Sequence, residues 1–136
     1  MKPTMLTRKI GTMIVLRENN DTPHDAEWDG FLRLLSDNRN NFERMKILVV
    51  TDGGGPNASQ RKRLEGTLSG KPVRVAVVTD SAKSRFIASA ISLINRDHKG
   101  FSMKEIGQAY QHLDMTSSEC HEAELALKEM EPLIAR

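Results

Sequence analysis

The sequence predicts an α/β fold: a single-layer, largely parallel or mixed sheet of four to five strands with flanking helices. Three observations predict it. Short apolar, β-branched runs recur at residues 12–16, 47–50 and 73–78. Between and after them lie stretches whose apolar residues repeat at helical spacing. Strands that alternate with helices imply right-handed crossovers, and therefore parallel neighbours. The 136 residues suit one domain over 1–136 with one core.

The elements follow in order. Residues 12–16 read as a strand, with residues 4–9 either extending it or forming a short partner. Thr22 as N-cap and Pro23 at the first helical position mark a helix start. Trp28, Phe31, Leu32 and Leu35 then form one stripe at i, i+3, i+4 and i+7. Residues 47–50 are continuously apolar, as expected of a strand inside a sheet. They run into a turn at Asp52–Asn57 and a helix through Leu64 and Leu68 that Gly70 ends. The third strand, 73–78, leads to Asp80 and a helix with Phe86, Ile87, Ala90, Ile91 and Ile94 on one face. Gly100 and Phe101 allow a short further strand. Ser102 with Glu105, and Thr116 with Glu119, are capping boxes that open two more helices. The first carries Ile106, Ala109, Tyr110 and Leu113; the last carries Ala123, Leu127, Met130 and Ile134.

Composition narrows the function classes. Hydrophobic residues are 38% and charged residues 28%, the balance of a folded globular chain. A net charge of +2, scattered basic residues and 4% aromatics argue against nucleic acid as a partner. No apolar run reaches the ~20 residues of a membrane span, and the first residues lack a signal-peptide pattern, so the expected location is cytoplasmic. Cys120 is the single cysteine, which excludes an intrachain disulfide and a Cys-based zinc site. Its neighbour His121 points elsewhere on a helix, and a structural role for Cys120 is expected. The histidines (His24, His98, His112, His121) show no metal-ligand spacing and no triad, so neither a metal site nor an enzyme is expected. No cofactor motif is present: the Gly-rich turn lacks both the Gly-Lys-Ser/Thr ending and the dinucleotide fingerprint.

Chemistry in open α/β sheets gathers at the carboxyl ends of the strands. The candidate residues for binding a partner or an anion sit there: Asp52, Gly53, Gly54, Gly55, Asn57, Ser59 and Arg61 after the second predicted strand, Asp80, Ser81 and Arg85 after the third. The triple glycine has three readings: a tight strand-to-helix turn, a surface for a protein partner, or a cradle of bare amides for a small anion, with Arg61 and Lys62 close by. Asp80 or Ser81 serves as an N-cap, and Arg85 is one turn further along.

The run Arg74-Val75-Ala76-Val77-Val78, a later Phe101, and Ala109-Tyr110-Gln111-His112-Leu113 together resemble the SpoIIAA-like branch of the STAS domains. Trp28 in the first helix and the order of elements agree, and the resemblance spans about Thr12 to Leu113. It implies a mixed sheet flanked by helices and a non-catalytic, bacterial regulatory module that docks a protein partner. In the anti-sigma-factor antagonists of that family a serine after a central strand is phosphorylated. Here the matching loop reads Asp52-Gly53-Gly54-Gly55, with no acceptor until Ser59. The branch is also similar to lipid carriers of the SEC14 type, which implies as an alternative a small anionic or lipid-like ligand beneath the helices. The final helix, with Leu127, Met130, Leu133 and Ile134, is expected to pack on the body or on a second copy, making a homo-oligomer.

Overall fold

The structure, a computed structural model, describes residues 2–135. A hairpin opens the chain: β1 (Met5–Ile10) and β2 (Met13–Glu18) pair antiparallel, and Gly11 supplies the positive φ (60°) of a two-residue turn. The segment read at 4–9 therefore forms a partner strand, shifted by one residue to 5–10, and the strand placed at 12–16 begins at Met13 and runs on through Arg17 and Glu18. Three parallel strands follow, β3 (Lys46–Thr51), β4 (Arg74–Val78) and β5 (His98–Phe101), in the sheet order β1-β2-β3-β4-β5. The result is an α/β fold on one mixed five-stranded sheet, as the sequence predicts.

Sequential order puts every crossover on the same side, because right-handed connections that always step in one direction return over one face. The crossover helices α1 (Asp25–Asp37), α2 (Ala58–Leu68) and α3 (Ala82–Ser92) accordingly share that face. They bury Trp28, Phe31, Leu35, Leu64 and Ile91 against Ile14, Leu16, Ile47, Val49, Val75 and Val77. Alternate residues point the other way. Met13, Val15, Leu48, Val50, Ala76 and Val78 are covered by α4 (Ile106–His112) and α5 (Ser117–Met130) through Ala109, Leu113, Ala123 and Met130. Each large side chain so buried contributes about 1.5–3 kcal/mol, which makes the two apolar layers the main source of stability.

Local details correct the sequence reading at three places. Helix α1 starts two residues late: His24 occupies the N-cap, and Pro23 is buried ahead of it rather than at the first helical position. The cause is Glu27, whose carboxylate accepts the backbone N–H of His24 (2.9 Å) and of Thr4 (2.9 Å) and Met5 (3.2 Å), together with the Thr4 hydroxyl. Burial works against that charge, but the Thr4 hydroxyl and these amides outweigh it and hold the carboxyl below its usual range. On α3, Phe86 faces solvent with 75% exposure; Ile91 is buried as expected, and Ser84 and Ala88 join it on the inner face. The Ser102–Glu105 box opens a 3-10 turn, Met103–Glu105, before α4 begins. The Thr116–Glu119 box caps α5 as read, and Leu133 is exposed while Ile134 is buried.

Candidate functional site

Strands β2, β3 and β4 end side by side at Glu18, Thr51 and Val78, and the loops that follow make one edge of the molecule. The Gly-rich turn crosses this edge under close contact. Asp52 donates its N–H to Glu18 O (3.1 Å), Gly53 to Thr51 Oγ1 (3.2 Å) and Gly54 to Asn19 O (2.9 Å). Gly54 O accepts the hydroxyls of Thr51 (2.9 Å) and Ser84 (3.0 Å). A Cβ on Gly54 would lie 2.0 Å from Asp21 O, so only glycine lets the two loops meet there. Asn57 and Gln60 close the entry to α2 reciprocally: each side chain accepts the other's backbone N–H, at 2.8 and 3.0 Å.

The amides of Asp52, Gly53, Gly54, Asn57 and Gln60 thus all donate within the chain. The turn joins a strand tightly to a helix and offers no cradle of bare amides at these positions. Gly55 packs against Ile87, Ser59 is exposed on α2, and Arg61 folds back to donate to Pro56 O (2.8 Å). Ser81 caps α3 by accepting from Ser84 N–H (3.3 Å). Arg85 does not reach the space between the loops. Its Nε lies 3.4 Å from Thr79 O, and its head lines a separate cleft of about 320 Å³ with Ser89 and Lys99 on the β5 side.

Of the candidate residues, Asp52, Asp80 and Ser81 come together. They line a cleft of about 970 Å³ where the carboxyl edge meets the end of α5. Its apolar wall is Val50, Ile106 and Leu127, and Met103 (43% exposed) stands at its mouth. Asp80 accepts the Met103 N–H (3.0 Å), which pins that mouth to the strand ends. Beneath lies Arg17, its side chain only 5% exposed. Arg17 pairs with Asp52 (2.8 Å) and Glu131 (2.9 Å) and also donates to Glu18 O. This network ties the C-terminal end of the chain to the sheet edge.

The opposite face of the same strand ends holds a second, closed space. A cavity of about 50 Å³ lies between the sheet and helices α1 and α3, walled by Leu16, Trp28, Val49, Val77 and Ile87. Glu18 closes it at the carboxyl edge, with Oε2 buried and unpartnered among the described residues. Burial first, and the nearby Glu27 charge second, push its carboxyl up to about 8, against the pull of Arg17. His98 lines the far end with both ring nitrogens unpartnered, and burial followed by the charge of His112 lowers it to about 3. Both groups are therefore neutral at pH 7.

Arg17 and Glu18 were not among the residues singled out from sequence, and His98 was named there only among the histidines without metal-ligand spacing or a triad. The signal for the first two was their place directly after Leu16: extending the strand alternation sends Arg17 to one face and Glu18 to the other. Cys120 is half-buried, and its thiol is pushed up by burial and by Glu124 and Glu119. Among the described residues no three His, Cys, Asp or Glu side chains converge as metal ligands, and no helix is long and apolar enough to cross a membrane. Comparison with protein-family models, curated proteins and solved structures finds no match to this chain.

Proposed function

We propose that this chain is a non-catalytic regulatory module of the STAS type that docks a protein partner at the carboxyl edge of its sheet. The observation that carries the reading is the cleft of about 970 Å³, which sets Val50, Ile106 and Leu127 beside Asp52, Asp80 and Lys128. An apolar floor inside a charged rim is the anatomy of a surface that takes a segment of another protein. The Arg17 pairs hold that surface rigid before a partner arrives, which lowers the ordering cost of association. The reading sets the module in a bacterial cytoplasm, a compartment that keeps the Cys120 thiol reduced.

A small anionic or lipid-like ligand is the second reading, and the closed cavity with Glu18 at its end is what favours it. Size weighs against it. A cavity of about 50 Å³ is well below the ~300–1,000 Å³ of ordinary ligand sites, so a lipid chain requires α1 and α3 to part from the sheet. The carboxyl of Glu18 is also neutral at pH 7, and it offers an anion one hydrogen bond and no charge.

Site-specific photocrosslinking in the native host tests the docking reading. A photoreactive side chain in place of Met103 is expected to give one discrete protein adduct. The same side chain in place of Glu65, exposed on α2, is expected to give none. Adducts from both positions, or from neither, contradict docking at this edge.

A further inference from the structure

Two helical surfaces on opposite faces of the sheet carry opposite charge and most of the exposed large apolar side chains. Residues 81–96, which include α3, hold Lys83, Arg85 and Arg96 and no acidic residue. On that surface Phe86 and Leu93 are 75% and 87% exposed, and they stand seven residues apart on one side of α3 and its last turn. Lys83 and Arg96 have no ion pair among the described residues, and Arg85 shares its cleft with Glu105 without a direct pair. Residues 117–133, which include α5, hold five glutamates against Lys128, with Leu125 and Leu133 exposed. Glu119, Glu129 and Glu131 are paired internally with Lys46, Arg8 and Arg17. Glu122 and Glu124 are left on either side of Leu125 without an ion pair among the described residues.

We infer that the α3 surface of one copy docks on the α5 surface of a second copy, so that the chain self-associates head to tail. The charge pattern selects this occupant. A cationic surface that carries Phe86 and Leu93 is complemented by an acidic surface that carries an exposed apolar residue, and α5 offers one in Leu125 with Glu122 and Glu124 close by in the helix. The two patches differ and lie on opposite sides of the sheet, so the contact is heterologous. Each added copy leaves one patch of each kind free, and growth continues rather than closing at a dimer. The end of α5 also borders the carboxyl-edge cleft through Leu127, Lys128 and Glu131, but Glu122, Glu124 and Leu125, like Lys83, Phe86, Leu93 and Arg96, lie outside it, so variants at these positions test self-association apart from the partner docked there.

Sedimentation equilibrium on the purified chain is the test. The weight-average mass is expected to climb steadily above 15.3 kDa between about 10 and about 500 µM protein in about 50 mM salt. It is expected to fall back to the monomer value in about 500 mM salt, where the charges are screened. Phe86→Asp with Leu93→Asp is expected to weaken association about tenfold or more without unfolding, since both side chains are in solvent. Lys83→Glu with Arg96→Glu, and separately Glu122→Lys with Glu124→Lys, each stay monomeric alone, and an equimolar mixture of the two regains growth. A wild-type mass fixed at 15.3 kDa, a plateau at twice that value, or a mixture that stays monomeric overturns the inference.

Discussion

Replacing Glu18 with glutamine isolates the energetic consequence of a carboxyl sealed against an apolar cavity. The folded carboxyl is raised to about 8 from an ordinary 4.5. A raised acid contributes stability that is fully present below pH 4.5 and is lost as pH climbs through about 8, because the folded state holds the proton more tightly than the unfolded chain. At about 1.36 kcal/mol per pH unit, the wild-type chain has lost roughly 1 kcal/mol at pH 5, roughly 3 at pH 7 and roughly 4–5 above pH 8.5. Glutamine has the same shape and an uncharged polar end that is equally unpartnered, so it shows none of this titration. Urea unfolding followed through the fluorescence of Trp28, the single tryptophan, gives the difference directly. Glu18→Gln is expected to be the more stable protein by about 3 kcal/mol at pH 7, a midpoint shift of roughly 1.5 M urea. The gap should narrow to about 1 kcal/mol at pH 5. Other titrating groups, His98 included, contribute equally to both proteins and cancel. Parallel stability curves from pH 5 to 9, or a Glu18→Gln protein weaker than wild type at pH 7, would refute the reasoning.

Further predictions concern the same edge and the far end of the cavity. Gly54→Ala is expected to cost about 3 kcal/mol or more, since its Cβ meets backbone 2.0 Å away, whereas Gly30→Ala in α1, with nothing within 4 Å, should stabilise by about 0.5–1 kcal/mol; thermal melts of the pair check both. His98, lowered to about 3 from 6.5, keeps its stability above pH 6.5 and loses it as pH falls through about 3, so His98→Phe should flatten the acid side of the stability curve in denaturant titrations. Arg17→Ala removes the cation that Asp52 and Glu131 share; both acids are partly exposed, so the expected cost is about 1–3 kcal/mol, with faster hydrogen exchange near Ile134 as its signature.

What was legible in the sequence was whatever depends on neighbours in the chain. The stripe of Trp28, Phe31, Leu32 and Leu35, the Thr116–Glu119 box, and the alternation of strands with helices all report local spacing, and the structure places each where it was read; the Ser102–Glu105 box also forms, but it opens a 3-10 turn ahead of its helix. The departures come from contacts across the fold. The first helix starts late because Glu27 reaches Thr4 and Met5, more than twenty positions back. Phe86 has the right spacing for the inner face of α3, yet its turn of the helix presents Ser84 and Ala88 inward, and Ser84 is needed to hold Gly54 O.

The candidate site was partly legible for the same reason. The carboxyl edge is fixed by topology, so Asp52, Asp80 and Ser81 could be placed together from strand order alone. The binding capacity of the Gly-rich turn could not, because it depends on where its amides point. The partners that take them up, Asn19 and Glu18 among them, lie on a different loop and strand. The chamber was invisible from sequence as well. Glu18 and His98 sit near opposite ends of the chain's strands, on β2 and β5, and meet one cavity only through the sheet and its helices.

Native mass spectrometry of the chain taken from its own host tests the docking proposal most directly. The expected spectrum shows the 15.3 kDa chain leaving with a protein partner, and a Met103→Glu chain emerging without it. A small molecule bound in stoichiometric amount to both chains, with no protein partner on either, would contradict docking at the carboxyl edge and make the closed cavity beside Glu18 the functional site.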